Sequence, residues 1–140
     1  MDINEIEDDL KAIAEMNADE ENLKDQYMID TMKFRIQQVV EKILQYFIYN
    51  IYEADEKSLD LETHDISELI YYVDEFDASF SQNHQELMDM SYEIDSWDFL
   101  NYYSDDDSDE ICSEYNIVKK AILIVKELYS EIIILTNQKK

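Results

Sequence analysis

Residues 20–54, EENLKDQYMIDTMKFRIQQVVEKILQYFIYNIYEA, carry the broadest apolar pattern of the chain. Apolar side chains recur there at steps of three and four residues, which is typical of one face of an α-helix. These positions are Ile29, Met32, Ile36, Val39, Ile43, Phe47 and Ile51, flanked by Val40, Leu44 and Ile48. The pattern predicts a long helix from about Glu20 to Ala54 at the centre of the fold.

Shorter helical patterns lie on both sides of this segment. An amphipathic first helix that ends near Asp19 or Asn22 is predicted by Ile3, Ile6, Leu10, Ile13 and Ala14. Asp65 and Glu68 have the spacing of a capping box at the start of a third helix. The buried face of that helix is predicted to hold Ile66, Leu69, Ile70, Val73 and Phe76.

A fourth helix is expected to begin at Ser79 or Ser81. Its apolar side chains are Leu87, Met88 or Met90, and Ile94. The aromatic and apolar residues that follow are expected to fold back onto the bundle; they are Trp97, Phe99 and Leu100. The run SDDDSDE, residues 104–110, predicts an acidic loop before the last helix.

The C-terminal segment has the cleanest period, because its apolar steps alternate between four and three. The positions are Ile111, Tyr115, Val118, Ile122, Val125, Tyr129 and Ile132. A heptad seam of this length suits bundle packing or a homodimer through residues 111–132. Lys119, Lys120 and Lys126 lie off the seam. Residues 131–135, EIIIL, also have high strand propensity, so helix and strand both stay open there.

The 140 residues include neither Gly nor Pro. Tight β-hairpin turns and parallel crossovers both depend on residues that tolerate positive φ, above all Gly, whereas helices joined by Asp, Asn and Ser loops need neither residue. We therefore predict an all-α fold, a single domain over residues 1–140 that forms a bundle of about five helices.

Charge is the strongest indication of function. The net charge is −24, and residues 58–118 contain 18 Asp and Glu but no Lys or Arg. Ordinary surfaces mix both signs, and solubility alone needs a net charge of only about 2 to 8. Direct binding to nucleic acid or to an anionic membrane is disfavoured, since both need basic residues. The window predicts a surface for a basic protein partner.

The partner-binding residues predicted from this window are acids that recur about once per helical turn, together with two tyrosines beside the Asp-rich run. Tyrosine suits an interface because its ring can stack on arginine. The residues are Asp60, Glu62, Asp65, Glu68, Asp74, Glu75, Asp77, Glu86, Asp89, Glu93, Asp95, Asp98, Tyr102, Tyr103, Asp105, Asp106, Asp107, Asp109 and Glu110.

No catalytic, cofactor or metal site is predicted. Asp105, Asp107 and Asp109 have EF-hand spacing, but Glu110 and Asn116 stand where such a loop needs Gly and a bidentate Glu. The single Cys112 lies among acids that raise the pKa of a thiol, and it excludes an intramolecular disulfide. His64 and His84 lack the spacings of helical metal sites.

In composition, size and helical patterning, the chain resembles the small acidic phage proteins that mimic DNA, of the anti-CRISPR or anti-restriction type. The resemblance implies a cytoplasmic inhibitor, in a bacterium that carries phage, which blocks the nucleic-acid groove of a nuclease or of a CRISPR or restriction effector. An immunity protein or antitoxin against a nuclease toxin is the alternative.

A second alternative is enzymatic. Glu53-x-x-Glu56 and Glu86-x-x-Asp89 are similar to the paired acidic motifs with which nucleoside triphosphate pyrophosphohydrolases of the MazG type hold magnesium. The second half has no nearby Lys or Arg in the sequence that would hold substrate phosphates. We therefore expect a binding protein rather than an enzyme.

Overall fold

The structure is a computed structural model that describes residues 3–19, 21, 24–54, 65–98 and 108–138, with the backbone alone for residue 98 and residues 108–113. These ranges contain six α-helices and no strand: α1 Ile3–Ala18, α2 Gln26–Tyr46, α3 Ile66–Phe76, α4 Phe80–Asn83, α5 Gln85–Asp95 and α6 Ser108–Gln138. A π-helical turn, Phe47–Ile51, continues α2, and a 3-10 turn, Ser96–Asp98, follows α5. The prediction of a helical bundle with a long second and a long C-terminal helix is confirmed.

Helix α2 begins later than Glu20, because Asp25 is its N-cap and accepts a hydrogen bond from the Tyr27 N–H at 2.9 Å. Asp19 closes the turn after α1 by accepting from the Glu21 N–H at 3.0 Å, as predicted. At the far end, the Tyr52 N–H reaches the Phe47 carbonyl, five residues back, at 2.9 Å. The predicted helix over 20–54 is thus an α-helix with a π-helical end.

The core forms around α2, which packs against α1, α3, α5 and α6. All the apolar positions predicted for its buried face are buried, from Ile29 to Ile51. Phe47 meets Phe80 of α4 edge to face, with ring centroids 5.3 Å apart. Burying one such large apolar side chain contributes about 1.5–3 kcal/mol, so α2 supplies much of the stability.

Helix α6 has 31 residues, about 46 Å at 1.5 Å per residue. Val118, Ile122, Val125 and Ile132 are buried as predicted, and Ala121, Ile124 and Leu128 are buried as well. The buried face is therefore wider than a heptad seam, as packing on a bundle requires. These seam residues pack inside the monomer, so a homodimer would have to form through another face of α6. Residues 131–135 are helical.

Two helix boundaries and two burial assignments differ from the predictions. Helix α6 starts at Ser108, so the acidic loop predicted over 104–110 is wrong for 108–110; Ser, Asp and Glu favour the first turn of a helix. The predicted fourth helix is divided at His84 into α4 and α5. Ala14 and Phe76 were predicted on the buried faces of their helices. Ala14 is exposed, and so is much of the Phe76 side chain. Phe99, Leu100, Asn22 and residues 104–107 lie outside the described residues.

Candidate partner-binding surface

Residues 65–98, here called the acidic hairpin, place α3 and α5 side by side in opposite directions. The C-terminal end of α3 leads through residues 77–84 into α5, and at the other end Asp95 Oδ1 accepts a hydrogen bond from the Ile66 N–H at 2.7 Å. Ile66, Leu69, Ile70 and Val73 of α3, with Leu87 and Ile94 of α5, are buried. The remaining sides of the two helices carry the acids.

Three of the predicted partner-binding acids bind backbone N–H groups within the hairpin. Asp95 does so at the start of α3, and Asp74 accepts from the Ser81 N–H at 2.8 Å at the start of α4. Asp77 accepts from the N–H and the hydroxyl of Ser79 at 3.1 and 2.8 Å. Because helix N-termini have a partial positive charge, these carboxylates stabilise the hairpin.

The predicted capping box at the start of α3 is only partly correct. Asp65 is at the N-cap position with extended backbone, φ −67° and ψ 127°, but its side chain makes no capping hydrogen bond. The Asp95 side chain, 29 residues after Ile66, accepts the hydrogen bond from the Ile66 N–H instead. The sequence contains no local signal for such a cap, because donor and acceptor meet only in the folded hairpin.

A second group of acids points away from the core. Asp65, Glu68 and Glu75 are exposed on α3, and Glu86, Asp89 and Glu93 are exposed on α5. Glu68 and Glu75 are seven residues apart, about 10.5 Å along the helix. Asp89 accepts from Gln85 Nε2 at 2.9 Å, and Glu93 lies 3.4 Å from the Trp97 indole nitrogen. These six are the described acids best placed to meet a partner.

The hairpin is rich in negative charge. It contains ten Asp and Glu and no Lys or Arg, and seven of these acids lie in α3 and α5. Each of the two helices has 11 residues, about 17 Å at 1.5 Å per residue. Side by side they carry one negative charge per about 2.4 Å, compared with about 1.7 Å along the axis of duplex DNA.

Aromatic side chains accompany the acids. Tyr71 on α3 is 64% exposed and Tyr92 on α5 is 83% exposed. The Tyr71 and Tyr72 rings lie 6.2 Å apart at 67° to each other, and they line a shallow cavity of about 360 Å³ with Ser67 and Glu68. Tyr71, Tyr72 and Tyr92 thus present rings beside carboxylates. The two tyrosines singled out from the sequence, Tyr102 and Tyr103, lie outside the described residues.

The remaining predicted site residues are not all described. Asp60, Glu62, Asp105, Asp106 and Asp107 lie outside the described residues, and Asp98, Asp109 and Glu110 are described by their backbone alone. Asp98 is in the 3-10 turn, while Asp109 and Glu110 are in the first turn of α6. The site is therefore built here from α3 and α5.

Basic side chains pair elsewhere in the bundle. Lys42 of α2 binds Asp9 of α1 at 2.7 Å, and Lys33 of α2 binds Glu114 of α6 at 3.1 Å. Lys120 of α6 comes nearest to the hairpin, because it lines a cavity of about 320 Å³ together with Glu86 and Asp89. The hairpin thus has a base along its α6 edge.

The Lys33–Glu114 pair belongs to a polar cluster between α2 and α6 that the sequence did not reveal. Gln26 donates from Nε2 to Asp30 at 2.9 Å and to Glu114 at 2.7 Å. Burial raises the pKa of Asp30 above its ordinary value, while the Gln26 hydrogen bond and the charge of Lys33 lower it. Only the opposite-charge spacing i, i+3 of Asp30 and Lys33 was visible beforehand.

Two tyrosines connect other elements through carboxylates. Tyr52 OH lies 3.5 Å from Asp77 at the hairpin turn, and burial, followed by the charge of Asp77, raises the pKa of Tyr52 to about 12. Tyr129 of α6 donates to Glu7 of α1, and burial followed by that hydrogen bond raises the pKa of Tyr129 to about 12. Both hydroxyls are therefore protonated at neutral pH.

His84, expected at the surface or its boundary, joins α4 to α6. Its ring lies against Phe80, with centroids 4.2 Å apart, and its Nδ1 is 2.8 Å from the Phe80 carbonyl. The other nitrogen, Nε2, is 2.5 Å from a Glu131 carboxylate oxygen. Both ring nitrogens lie within hydrogen-bond distance of oxygen atoms, so His84 has a structural role between α4 and α6.

The described acids of the MazG-like motif lie just after the π-helical turn and in α5. Within the described ranges, no three His, Cys, Asp or Glu side chains form a group able to hold a metal ion. Glu53 is exposed at the end of the π-helical turn, and Glu86 and Asp89 are exposed on α5. Glu56, the fourth member of the MazG-like motif, lies outside the described residues.

No known protein family matches this chain, and neither a curated protein nor a solved structure shows significant similarity to it. None of the helices within the described ranges combines the length and apolar character required to cross a bilayer.

Proposed function

We propose that this protein is an inhibitor that mimics the charge of a nucleic acid and occupies the DNA- or RNA-binding groove of a nuclease or of a CRISPR or restriction effector. The observation that carries the proposal is the acidic hairpin, whose two antiparallel helices carry one negative charge per about 2.4 Å along their axis and contain no base. Lysines and arginines that normally contact phosphates would pair with its exposed carboxylates.

The internal hydrogen bonds of the hairpin support this role. A mimic must hold its charges at fixed positions before the partner arrives, because ordering flexible side chains and loops on binding lowers affinity. Asp95 joins the end of α5 to the start of α3, while Asp74 and Asp77 order the turn that leads into α4, in each case through backbone N–H groups. The exposed acids therefore belong to a preorganised scaffold.

The exposed tyrosines support a protein partner rather than a diffuse counterion cloud. Tyr71 and Tyr92 offer large apolar surface beside carboxylates, and tyrosine is enriched at interface cores. An immunity protein that covers the basic active site of a nuclease toxin would use the same acid-and-tyrosine surface. The identity of the captured nuclease separates this alternative from a defence-system inhibitor.

A charge-neutralised variant tests the proposal. The hairpin variant combines Glu75→Gln, Glu86→Gln, Asp89→Asn and Glu93→Gln, all at exposed positions. The matched control combines Glu5→Gln, Asp8→Asn, Glu15→Gln and Glu127→Gln, which are exposed on α1 and α6 and change the net charge equally. Asp74, Asp77 and Asp95 are left intact because their replacement would also loosen the fold.

Each immobilised protein is used to capture partners from bacterial lysate at low salt, and duplex DNA is then added as a competitor. We expect a nuclease or effector that DNA displaces, bound at least about fourfold more weakly by the hairpin variant, since exposed ion pairs contribute about 0.2–1 kcal/mol each. Equal weakening by both variants, or a captured partner indifferent to DNA, would refute mimicry.

A further inference from the structure

The cavity on α3 between Tyr71 and Tyr72 has the chemistry of a site for one flat cation. Its volume is about 360 Å³, and its walls are the two phenol rings, the Ser67 side chain and the Glu68 carboxylate. The rings meet at 67° with centroids 6.2 Å apart, so they form a corner rather than a stack. An acid at the edge of an aromatic corner attracts a cation through both its charge and the ring faces.

The surroundings of this cavity increase its preference for positive charge. Asp65 is exposed one turn before Glu68, and the hairpin contains no Lys or Arg. The positive end of the α3 helix dipole would oppose a cation, but the Asp95 carboxylate lies 2.7 Å from the Ile66 N–H and offsets it. The cavity is thus the place in the hairpin where aromatic faces and carboxylates coincide.

We propose that the Tyr71–Tyr72 corner is a binding site for the guanidinium group of a single arginine of the partner, stacked on a tyrosine ring and paired with Glu68. Arginine fits better than lysine because its guanidinium is planar, stacks on aromatic faces, and pairs with a carboxylate through two parallel N–H groups. This inference rests on the proposed function, since the arginine belongs to the nucleic-acid groove of the partner.

The site would let the hairpin distinguish arginine from lysine, whereas its other exposed carboxylates recognise only positive charge. The carboxylates at Glu75, Glu86 and Asp89 accept any cation, whereas a two-ring corner distinguishes a planar group from an ammonium. A cation on an exposed aromatic face gains about 0.5–1 kcal/mol, a factor of about 2 to 5 in affinity. One arginine would thereby be placed at a fixed point on α3.

The experiment uses the whole protein, labelled with ¹⁵N, and follows backbone shifts during titration with N-acetylarginine amide. Two matched probes serve as controls: the citrulline amide, which has the same shape without charge, and the N-acetyllysine amide, which has charge without the plane. We expect saturable shifts centred on residues 67–72 with the arginine probe, about 2- to 5-fold weaker binding with lysine, and none with citrulline.

Variants locate the effect. Tyr71→Leu and Glu68→Gln should each weaken binding of the arginine probe at least about threefold, whereas Tyr27→Leu on α2 and Glu15→Gln on α1, both at exposed positions outside the hairpin, should leave it unchanged. Equal affinity for arginine and lysine, or shifts spread over all exposed acids of the hairpin, would overturn the proposal. Both of these outcomes are measured on the unmodified protein, so they do not depend on whether a variant folds.

The two proposals fail separately. Arginine binding at Tyr71 together with no DNA-displaceable partner would keep the arginine site and remove the mimic. A DNA-displaceable partner whose affinity is unaffected by Tyr71→Leu would keep the mimic and remove the arginine site. Glu68 is not among the four residues replaced in the hairpin variant, so that variant leaves the cavity unchanged.

Discussion

The acidic hairpin and the α2–α6 pair hold their carboxylates in opposite ways. Between α2 and α6, Glu114 is paired with Lys33, whose side chain is only 12% exposed, and with Gln26. In the hairpin, Asp74, Asp77 and Asp95 bind backbone N–H groups at helix starts and turns. One region neutralises its acids with side chains, and the other uses the partial charges of the backbone.

The difference shows how a chain can remove all bases from one region and still fold it. A helix N-terminus is equivalent to about half a positive charge, and it cannot leave the surface to pair with a competing anion. The hairpin therefore keeps its carboxylates ordered while its net charge stays fully negative. Such a region suits binding to a basic partner, because it contains no lysine or arginine of its own and Lys120 lies at its α6 edge rather than within it.

The largest expected effect tests whether the two regions unfold as one. Phe47→Ala removes a fully buried ring that contacts Phe80 next to the hairpin and lies in the helix that α6 packs against. We expect a loss of about 3–5 kcal/mol in the free energy of unfolding, from lost burial and the remaining cavity. Urea denaturation measures it.

Two signals separate the regions in that experiment. Trp97, the only tryptophan, is buried at the end of α5, whereas circular dichroism reports mainly the long helices α2 and α6. Coincident transitions for both signals are expected of a single cooperative unit. A fluorescence transition that precedes the circular dichroism transition would show that the hairpin unfolds by itself.

The second prediction compares a capping acid with an exposed one. Asp95→Ala removes the acceptor of the Ile66 N–H, and we expect it to lower the unfolding free energy by about 1–2 kcal/mol. Asp89→Ala is the matched control on the same helix, expected within about 0.5 kcal/mol of the parent. Similar losses in both variants would contradict the division between structural and exposed acids.

The third prediction concerns the end of the π-helical turn. Glu53 has φ 55°, the one positive φ found among the described residues, and this conformation costs a side chain with a Cβ about 1–2 kcal/mol. Glu53→Gly should therefore raise the unfolding free energy by about 1 kcal/mol. Ala54→Gly, one residue on, should lower it slightly. Destabilisation by Glu53→Gly would mean that its side-chain contacts outweigh the strain.

The smallest expected effect appears at high pH. The pKa of Tyr52 and Tyr129 is about 12 in the folded protein and about 10 in an unfolded chain. The folded state thus retains the protons longer, so the stability from each hydroxyl is complete below pH 10 and is lost as pH rises through 12. Both side chains are partly exposed, and solvent screening reduces the effect.

Tyr52→Phe and Tyr129→Phe compare the regions directly. The first removes the hydroxyl beside the hairpin turn, and the second removes the one that joins α6 to α1. Unfolding free energies measured at pH 8 and pH 11 should differ less in either variant than in the parent. An unchanged difference in both variants would show that other groups determine the alkaline stability.

The helical patterns could be predicted from the sequence where a helix packs against the core along one face. The periods in α2 and α6 identified their buried faces, because one face of each helix lies against the core, from Ile29 to Tyr46 in α2 and from Val118 to Ile132 in α6. Without Gly or Pro as breakers, helix ends were harder to place, and the division at His84 was missed because it depends on contacts with Phe80 and Glu131.

The candidate site was predictable in composition but not in detail. Any acid on α3 or α5 looked equivalent in the sequence, since a capping bond between Asp95 and Ile66 spans 29 residues. The pairing of Tyr71 and Tyr72 into a corner also depends on side-chain rotamers, which periodicity does not report. The structure thus separates acids that hold the hairpin together from acids that face outward.

The π-helical turn Phe47–Ile51 has a consequence for how gene length can vary. A turn closed between residues i and i+5 contains one residue more than an ordinary α-helical turn. Loss of a single codon there would let an ordinary α-helical turn close in its place, because the π-helical turn already holds the extra residue. Ile51 and the chain leading to the hairpin would then keep nearly the same direction relative to α2. Related genes should therefore tolerate the gain or loss of one codon at this turn better than elsewhere in α2.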